Sequence, residues 1–318
     1  MRAIQITEKG GPEVLTYKAS LPVPTPREGE ILIKNEYIGI NFIDTYFRTG
    51  LYPAELPLVL GREAAGTIVS GSHAQYGLKE GDKVVYMASS AYAEYTSVPA
   101  IEVLPIPASV SLETAAASWI NGLTAITLIE ESHKVNRGDW VLIPAAAGGT
   151  GGWLCKLLKQ RGAHVIGSVS TEEKRKQALA NGAEVVVGYE EVLDTVKEKT
   201  GGKGVVAVFD GVGKATFDVA LEAVARKGSI VSFGNASGPP DPVVLRRLSP
   251  KNVKLSRPIV MSYLVEREEK EKYAKDLWEA LENGVTVEVF KTYELQDVQQ
   301  AHKDLEGRKT TGKLLIKP

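Results

Sequence analysis

The 318-residue sequence predicts an α/β fold that joins a β-rich lobe to a lobe built on a doubly wound parallel sheet. Prolines and short β-branched runs fill the first 107 residues, a texture typical of β structure. From about residue 140, short apolar strands alternate with helices, and a glycine-rich turn joins the first of these strands to its helix. The length also exceeds what one hydrophobic core usually supports, which favours two lobes.

In the first lobe, residues 31–33, 66–70 and 83–86 are predicted as strands because each is a short apolar or β-branched run bounded by turn residues. A helix is predicted to open near residue 112. Ser111 and Glu113 fit its first turn, where a hydroxyl caps backbone N–H groups and a carboxylate complements the helix dipole.

In the second lobe, five strands alternate with helices. The strands are predicted at residues 140–143, 164–167, 184–187, 205–209 and 229–233, and the first two helices at residues 153–161 and 171–181. Gly182 follows the second helix as its C-cap. Beyond residue 256 come a helix at residues 266–283, a β-branched segment at residues 285–289, a short helix at residues 298–306 and a closing strand at residues 313–317.

Composition restricts the partners. The formal net charge of −1 gives no basic surface for nucleic acid, and no run approaches the length of a membrane span. Cys155 is the only cysteine, so the chain forms no internal disulfide. With no charged leader at its amino terminus, the sequence predicts a cytoplasmic protein that acts on a small molecule, without nucleic acid or membrane.

The glycine-rich turn has the spacing of a dinucleotide-binding motif. Ala146, Gly148 and Gly151 stand where small residues let the backbone approach a pyrophosphate, and Gly149 and Thr150 lie between them. Backbone N–H groups at the start of the following helix would donate to the phosphate oxygens. The motif therefore predicts a nicotinamide dinucleotide site.

The end of the second strand favours NADPH over NADH. Sites for NADH usually place an acid there to hold the ribose hydroxyls, but this chain has Ser170 and Thr171. Lys174 follows in the next helical turn, where an ammonium would meet the 2′-phosphate. Glu172 and Glu173 beside it count against this interpretation.

A second phosphate-like motif lies near the carboxyl end. Residues 307–313 have the spacing of a nucleotide-binding P-loop, but Leu314 stands where a magnesium-binding hydroxyl belongs, and the segment leads into a strand. We interpret it as a turn.

Several longer motifs in the sequence resemble those of a known protein family. They are Gly-Gly-Pro-Glu-Val-Leu at residues 10–15, Asn-Phe-Ile-Asp-Thr-Tyr at 41–46, Glu-Ala-Ala-Gly at 63–66, Ala-Ala-Ala-Gly-Gly-Thr-Gly at 145–151 and Ser-Phe-Gly-Asn at 232–235. Over essentially its whole length the sequence resembles the medium-chain dehydrogenase/reductase superfamily, and within it the quinone oxidoreductase or zeta-crystallin group.

The resemblance implies a GroES-like catalytic domain at residues 1–118 and 257–318, a Rossmann domain at residues 119–256, and a homodimer. It also implies that residues 257–261 make a return crossing that touches the cofactor. Gly211 stands where the group often has a serine, and glycine has no side chain to make such a contact. The implied cofactor contacts are Asn41, Phe42, Ile43, Asp44, Thr45, Thr127, Gly149, Thr150, Ser170, Thr171, Lys174, Tyr189, Phe233, Gly234, Asn235 and Ala236.

Alcohol dehydrogenases of the same superfamily bind a catalytic zinc through a cysteine and a histidine. Asn41 and Arg62 stand at these positions here, and the four histidines of the chain lack metal-ligand spacing. We therefore expect a zinc-independent enzyme.

Without zinc, hydrogen-bond donors must stabilise the negative charge that forms on the acceptor during hydride transfer. Asn41, Tyr46 and Tyr52 are the candidates, because their side chains donate hydrogen bonds. A quinone suits such a site, since its reduction gives an aromatic hydroquinone anion that needs less stabilisation than an alkoxide.

Other functions remain open. An enone or another activated alkene is an alternative acceptor, and a non-catalytic NADPH- or RNA-binding protein is an alternative on the same fold. A short-chain dehydrogenase is excluded, because none of the twelve tyrosines has the lysine four residues later that this class requires.

Overall fold

The computed structural model describes residues 1–71 and 73–318, which divide into two compact units. Unit 1 comprises Met1–Ile120, Val265–Leu281 and Thr286–Pro318, and unit 2 comprises Asn121–Leu264 and Glu282–Val285. Unit 1 is rich in antiparallel strands, whereas unit 2 is built on a parallel sheet with helices. The predicted α/β class is confirmed.

The strands, in chain order, are β1 (Ala3–Ile6), β2 (Thr16–Lys18), β3 (Glu30–Ile40), β4 (Leu58–Val59), β5 (Glu63–Ser70), β6 (Lys83–Met87), β7 (Tyr95–Pro99), β8 (Val103–Pro105), β9 (Trp140–Pro144), β10 (His164–Ser168), β11 (Val185–Val187), β12 (Val205–Asp210), β13 (Val224–Ser232), β14 (Lys254–Ser256), β15 (Val289–Glu294) and β16 (Lys313–Lys317).

The helices are α1 (Phe42–Thr49), α2 (Leu112–Thr127), α3 (Gly149–Arg161), α4 (Glu172–Ala180), α5 (Val192–Lys199), α6 (Phe217–Ala223), α7 (Val260–Tyr263), α8 (Arg267–Glu282) and α9 (Val298–Glu306). Short 3₁₀ turns occur at Pro12–Val14, Ala74–Tyr76, Ala100–Glu102, Tyr189–Glu191, Leu245–Lys251 and Leu295–Asp297, and α2 continues as a π-helical turn at Leu128–Ser132.

The described residues of unit 1 form two sheets. A sheet in the order β15-β16-β3-β5-β6-β8 also pairs β7 with β3, and a smaller sheet has the order β2-β1-β4. Strand β16 pairs antiparallel with the carboxyl end of β3, with Leu315 opposite Gly39. The end of the chain thus lies beside the segment that leads into α1. Buried isoleucines of β1 and β3 form much of this core.

Unit 2 carries six parallel strands in the order β11-β10-β9-β12-β13-β14. The direction in which strands are added reverses at β9, which lies between β10 and β12. Ligands of such sheets bind at the carboxyl ends of the strands beside this reversal. Leu142, Ile166, Val208 and Ile230 of the four central strands are buried in the core.

Several elements differ from the sequence prediction. Helix α3 begins at Gly149, four residues before the predicted start, because the glycine-rich turn is itself the first helical turn. The segment at residues 285–289 precedes the strand, and β15 begins only at Val289, where the chain pairs with β16. Helix α1 and the sixth strand β14 had not been predicted, whereas Ser111 caps α2 as expected, its Oγ lying 3.0 Å from the Thr114 nitrogen.

Among residues 1–71 and 73–318, no helix combines the length and the apolar character that crossing a bilayer requires.

Candidate active site

The glycine-rich loop joins β9 to α3 in unit 2. Ala145 adopts a left-handed conformation with φ of 55°, which an L-residue rarely adopts and which turns the chain sharply after the strand. Gly148 is the N-cap of α3 and offers no capping side chain. A Cβ atom at Gly151 would lie 2.5 Å from the Ala145 carbonyl oxygen, so this tight loop needs glycine there.

The side chain of Asn121, in α2, lies over the first turn of α3. A Cβ atom at Gly149 would approach the Asn121 Nδ2 to 2.4 Å, and the Thr150 hydroxyl donates to the Asn121 Oδ1 at 3.3 Å. Sequence reasoning missed Asn121, because only the fold brings α2 against Thr150, which lies 29 residues further along the chain. An amide at this place can supply a donor next to the helix terminus.

Helix α4 begins directly after β10. The Thr171 Oγ1 caps it by accepting the Lys174 backbone N–H at 3.3 Å, and Ser170 is exposed just before it. Arg175, which sequence reasoning also overlooked, ion-pairs with Glu172 at 3.3 Å and donates to the Val186 carbonyl. One of the two acids beside Lys174 is therefore neutralised by Arg175.

The ends of β12 and β13 are tied together by polar contacts. The Asp210 carboxylate accepts the backbone N–H groups of Val212 and Gly213 at 2.8 and 3.1 Å. Arg257 donates to the carbonyls of Ser232 and Gly234 at 2.7 and 3.3 Å. These contacts fix the backbone of both loops.

Phe233 fills the space beside Gly211. A Cβ atom at Gly211 would lie 2.8 Å from the Phe233 ring, so a serine at this position would require the ring to move. The glycine found here is thus matched to the phenylalanine that follows β13.

Because the strands are parallel, their carboxyl ends share one edge of the sheet, and most of the predicted cofactor residues of unit 2 lie in the loops and first helical turns at that edge. They are Ala146, Gly148, Gly149, Thr150, Gly151, Ser170, Thr171, Lys174, Tyr189, Phe233, Gly234, Asn235 and Ala236. Thr127 instead ends α2, and its hydroxyl donates to the Leu123 and Thr124 carbonyls at 2.8 and 3.1 Å.

In unit 1, the predicted residues Asn41, Phe42, Ile43, Asp44 and Thr45 form the N-cap and first turn of α1. The Asp44 carboxylate accepts the Asn41 backbone N–H at 2.8 Å, and the Thr45 hydroxyl donates to the Phe42 carbonyl at 2.7 Å. Asn41 is nearly buried, and its side chain bonds to Glu63 and Lys313.

The Asp44 side chain points into a buried chain of hydrogen bonds. Arg48 donates to the His302 Nδ1 at 2.8 Å, so the His302 Nε2 carries the proton and faces the Tyr92 hydroxyl at 3.2 Å. Tyr92 donates in turn to the same Asp44 oxygen that accepts the Asn41 N–H, at 2.8 Å. Burial raises the pKa of Asp44 to about 6, and burial together with Arg48 lowers the pKa of His302 to about 3.

The two candidate tyrosines lie together. The ring centroids of Tyr46 and Tyr52 are 5.3 Å apart, and Tyr52 also meets the Phe47 ring edge-on at 5.6 Å. Arg62 places its guanidinium 3.9 Å from the centroid of the same Phe47 ring and donates to the Ser89 hydroxyl at 2.9 Å. Arg62, expected at the position of a zinc ligand, is thus part of an aromatic cluster.

Within the part of the chain that the structure describes, no group of three or more His, Cys, Asp or Glu residues is placed to hold a metal ion.

Comparisons with known proteins identify both units. Residues 27–108 match the model of the alcohol dehydrogenase GroES-like domain, and residues 149–283 match that of the zinc-binding dehydrogenase family. A probable quinone oxidoreductase of Schizosaccharomyces pombe is 42% identical over 97% of this chain and 94% of its own length. A 2-haloacrylate reductase of a Burkholderia species is 34% identical over 99% of this chain and 98% of its own length.

Solved structures match over the whole chain, and two of them carry NADPH. A mycobacterial protein complexed with NADPH is 42% identical with a TM-score of 0.97, and each chain covers 100% of the other. The quinone oxidoreductase of Escherichia coli, also complexed with NADPH, is 39% identical with a TM-score of 0.96 and the same complete coverage.

Proposed function

The chain belongs to the quinone oxidoreductase family of the medium-chain dehydrogenases/reductases, and from this premise we propose that it is an NADPH-dependent, zinc-independent quinone reductase. The observation that carries the proposal is the likeness to quinone oxidoreductases over nearly the whole chain, with 39–42% sequence identity and, for the one solved with NADPH, a TM-score of 0.96. The geometry of each unit supports a specific part of this function.

The loop after β9 fits a dinucleotide. Its glycines keep side chains away from the start of α3, whose backbone N–H groups carry partial positive charge toward a pyrophosphate. Beyond β10 the chain offers the hydroxyls of Ser170 and Thr171 and the ammonium of Lys174, without an acid at the end of the strand. This donor set suits the 2′-phosphate of NADPH.

Bound NADPH supplies the hydride, and the chain must orient the acceptor and stabilise the charge that develops on its oxygen. We assign this role to Asn41, Tyr46 and Tyr52. An amide and two phenols donate neutral hydrogen bonds, which suffice for a quinone because the resulting anion is delocalised and aromatic. The same assignment makes zinc unnecessary, since Asn41 and Arg62 replace the thiolate and imidazole that would bind it.

An activated alkene is the second candidate acceptor, favoured by the likeness to the 2-haloacrylate reductase. A panel of quinones, enones and 2-haloacrylate, assayed with NADPH, separates the two by kcat/KM. We expect the highest kcat/KM with a quinone. A higher kcat/KM with an alkene would identify activated alkenes as the substrate class instead. Tight NADPH binding without turnover on any acceptor would support the non-catalytic alternative.

We further propose a cytoplasmic homodimer. Strand β14 lies at the edge of its sheet, and Val244 and Leu245, which precede it in the chain, are 58% and 76% exposed, features suited to pairing with a second copy. Changing Leu245 to Glu should shift the protein toward monomer in light scattering. The single cysteine, Cys155, is buried as a free thiol and is compatible with a reducing compartment.

A further inference from the structure

Three polar side chains meet in the interior of unit 1, beside the start of α1. The Lys313 ammonium donates to the Asn41 Oδ1 at 2.7 Å and also to the Glu63 Oε1. The Asn41 Nδ2 donates to the same Glu63 oxygen at 2.7 Å. Lys313 is 3% exposed and Glu63 is fully buried, so the ion pair and the amide form a closed triangle away from water.

The surrounding backbone is adapted to this triangle. The Ile120 N–H donates to the second oxygen of Glu63 at 2.7 Å, which orients the carboxylate. A Cβ atom at Gly39 would lie 2.1 Å from the Glu63 Oε1, so only glycine on β3 leaves room for the carboxylate to reach Asn41. Lys313 enters from β16, whose residue Leu314 pairs with Ile40 just before Asn41.

The contacts fix the orientation of the Asn41 amide. Its carbonyl oxygen faces an ammonium, which only donates, and its nitrogen faces a carboxylate, which only accepts. If the amide were rotated by half a turn, its NH₂ group would face the Lys313 ammonium and its oxygen would face the Glu63 carboxylate, and neither contact could be a hydrogen bond. One N–H of Asn41 is used by Glu63, which leaves the second N–H for a bound molecule.

A buried ion pair seldom stabilises a fold more than apolar residues of the same size would. The contribution of this ion pair is to geometry, because its two charged groups fix the orientation of the Asn41 amide. We propose, on the basis of the function proposed above, that Lys313 and Glu63 are positioning residues that hold the Asn41 amide as a hydrogen-bond donor to the quinone oxygen during reduction. Lys313 is the last residue of the P-loop-like segment. In this proposal it acts on Asn41 through a side-chain hydrogen bond within unit 1.

A double-mutant cycle tests the proposal in the full-length protein with NADPH and a quinone. The variants are Lys313→Met, Asn41→Ala and their combination, and Lys317→Met on the same strand is the matched control. Lys317 is exposed and its ammonium lies 5.7 Å from the Tyr37 ring, outside the triangle. The measurements are kcat, KM for both substrates and the NADPH dissociation constant.

We expect Lys313→Met to lower kcat by about tenfold to a hundredfold, the scale of a misplaced catalytic group, with little change in NADPH affinity. In the Asn41→Ala background it should lower kcat no further, because the group that it positions is gone. Equal effects of Lys313→Met with and without Asn41 would overturn the inference, as would unchanged kcat in Lys313→Met alone.

If Lys313→Met fails to fold, Glu63→Gln replaces it in the same cycle. The Ile120 N–H keeps the remaining carbonyl oxygen, so the new NH₂ group faces Asn41 and Lys313, and the same non-additivity is expected. Wild-type protein that binds NADPH but reduces no quinone would reject the proposed function itself, whereas failure of the positioning inference requires an active wild-type enzyme.

Discussion

Tyr52 and Lys174 are single side chains with different proposed partners, the acceptor for Tyr52 and the cofactor for Lys174. Tyr52 lies in an aromatic group with Tyr46 and Phe47, whereas Lys174 lies in the first turn of a helix that follows a strand without a terminal acid. We assign the Tyr52 phenol to the negative charge that forms on the acceptor oxygen in the transition state. We assign the Lys174 ammonium to the charge that the 2′-phosphate of NADPH already carries. Their substitutions should therefore affect different constants.

Changing Tyr52 to Phe should lower kcat for quinone reduction by about tenfold to a hundredfold and leave the NADPH dissociation constant nearly unchanged. The ring and its packing against Tyr46 are retained, so only the hydroxyl is lost. Tyr17→Phe, an exposed change on β2, is the control. Unchanged kcat in the Tyr52 variant would identify this residue as a packing residue.

Changing Lys174 to Ala should weaken NADPH binding by about 1.5–3 kcal/mol, the scale of a charge-assisted hydrogen bond, and leave NADH binding almost unaffected. Lys176→Ala, an exposed lysine of the same helix, corrects for the loss of one positive charge. Titration of both cofactors measures the difference. Equal loss for NADPH and NADH would contradict the assignment of Lys174 to the 2′-phosphate.

The buried Asp44 gives a residue-scale prediction about pH. Its pKa is raised by burial to about 6 from a usual value of 3.8, so the folded state holds the proton more tightly than the unfolded state. Its contribution to stability is therefore complete below pH 3.8 and is lost as the pH rises through about 6. His302, with its pKa lowered to about 3 from 6.5, acts in the opposite sense and loses its contribution as the pH falls.

Changing Asp44 to Asn isolates the Asp44 effect, because one carbonyl oxygen can still accept from Asn41 and Tyr92. The unfolding free energy of the wild type minus that of the variant should fall by about 2–3 kcal/mol between pH 4 and pH 7. Denaturant titrations at each pH measure it, with Asp241→Asn on the surface as the control. A difference that stays constant with pH would show that Asp44 titrates normally.

At the scale of elements, the start of α3 depends on the neighbouring helix α2. Changing Gly149 to Ala adds a methyl group 2.4 Å from the Asn121 Nδ2, and this overpacking should lower the unfolding free energy by about 1–3 kcal/mol and weaken NADPH binding. Truncating Asn121 to Ala in the same chain should remove most of both effects. If the double variant is as impaired as Gly149→Ala alone, the crowding does not come from Asn121.

The elements that could be predicted from sequence are those whose local signals are strong. Strand β9 and the loop at residues 145–151 were predicted because an apolar run, small residues and a helix follow in a fixed spacing. Helix α9 and strand β16 also have strong local signals, and their predicted bounds agree with the observed ones. Strand β14, of three residues, carries no comparable signal, because its pairing with β13 defines it.

Contacts between distant segments could not be predicted. Nothing in the sequence around Asn121, Glu63 or Lys313 indicates these contacts, because only the packing of α2 on the loop and of β16 beside β3 brings them to their partners. Asn41 was selected from the family motif, but its buried bonds to Glu63 and Lys313 required the structure. Pairing across some 250 residues leaves no periodic trace in the chain.

In the whole molecule, the two units have separate tasks in the proposed function. In the proposed function, the dinucleotide binds to the loops at the carboxyl edge of the parallel sheet of unit 2, and the acceptor binds to the hydrogen-bond donors around α1 in unit 1. Because Asn41 and Arg62 replace both expected zinc ligands, we predict turnover without a metal ion.

The most direct test is steady-state NADPH oxidation by protein that has been dialysed against a strong chelator and checked for metal content by elemental analysis. We predict that NADPH consumption depends on added quinone, proceeds at the same rate before and after chelation, and does not increase when zinc is added. Stoichiometric zinc in the purified protein, with activity lost to the chelator and recovered on adding zinc, would contradict it.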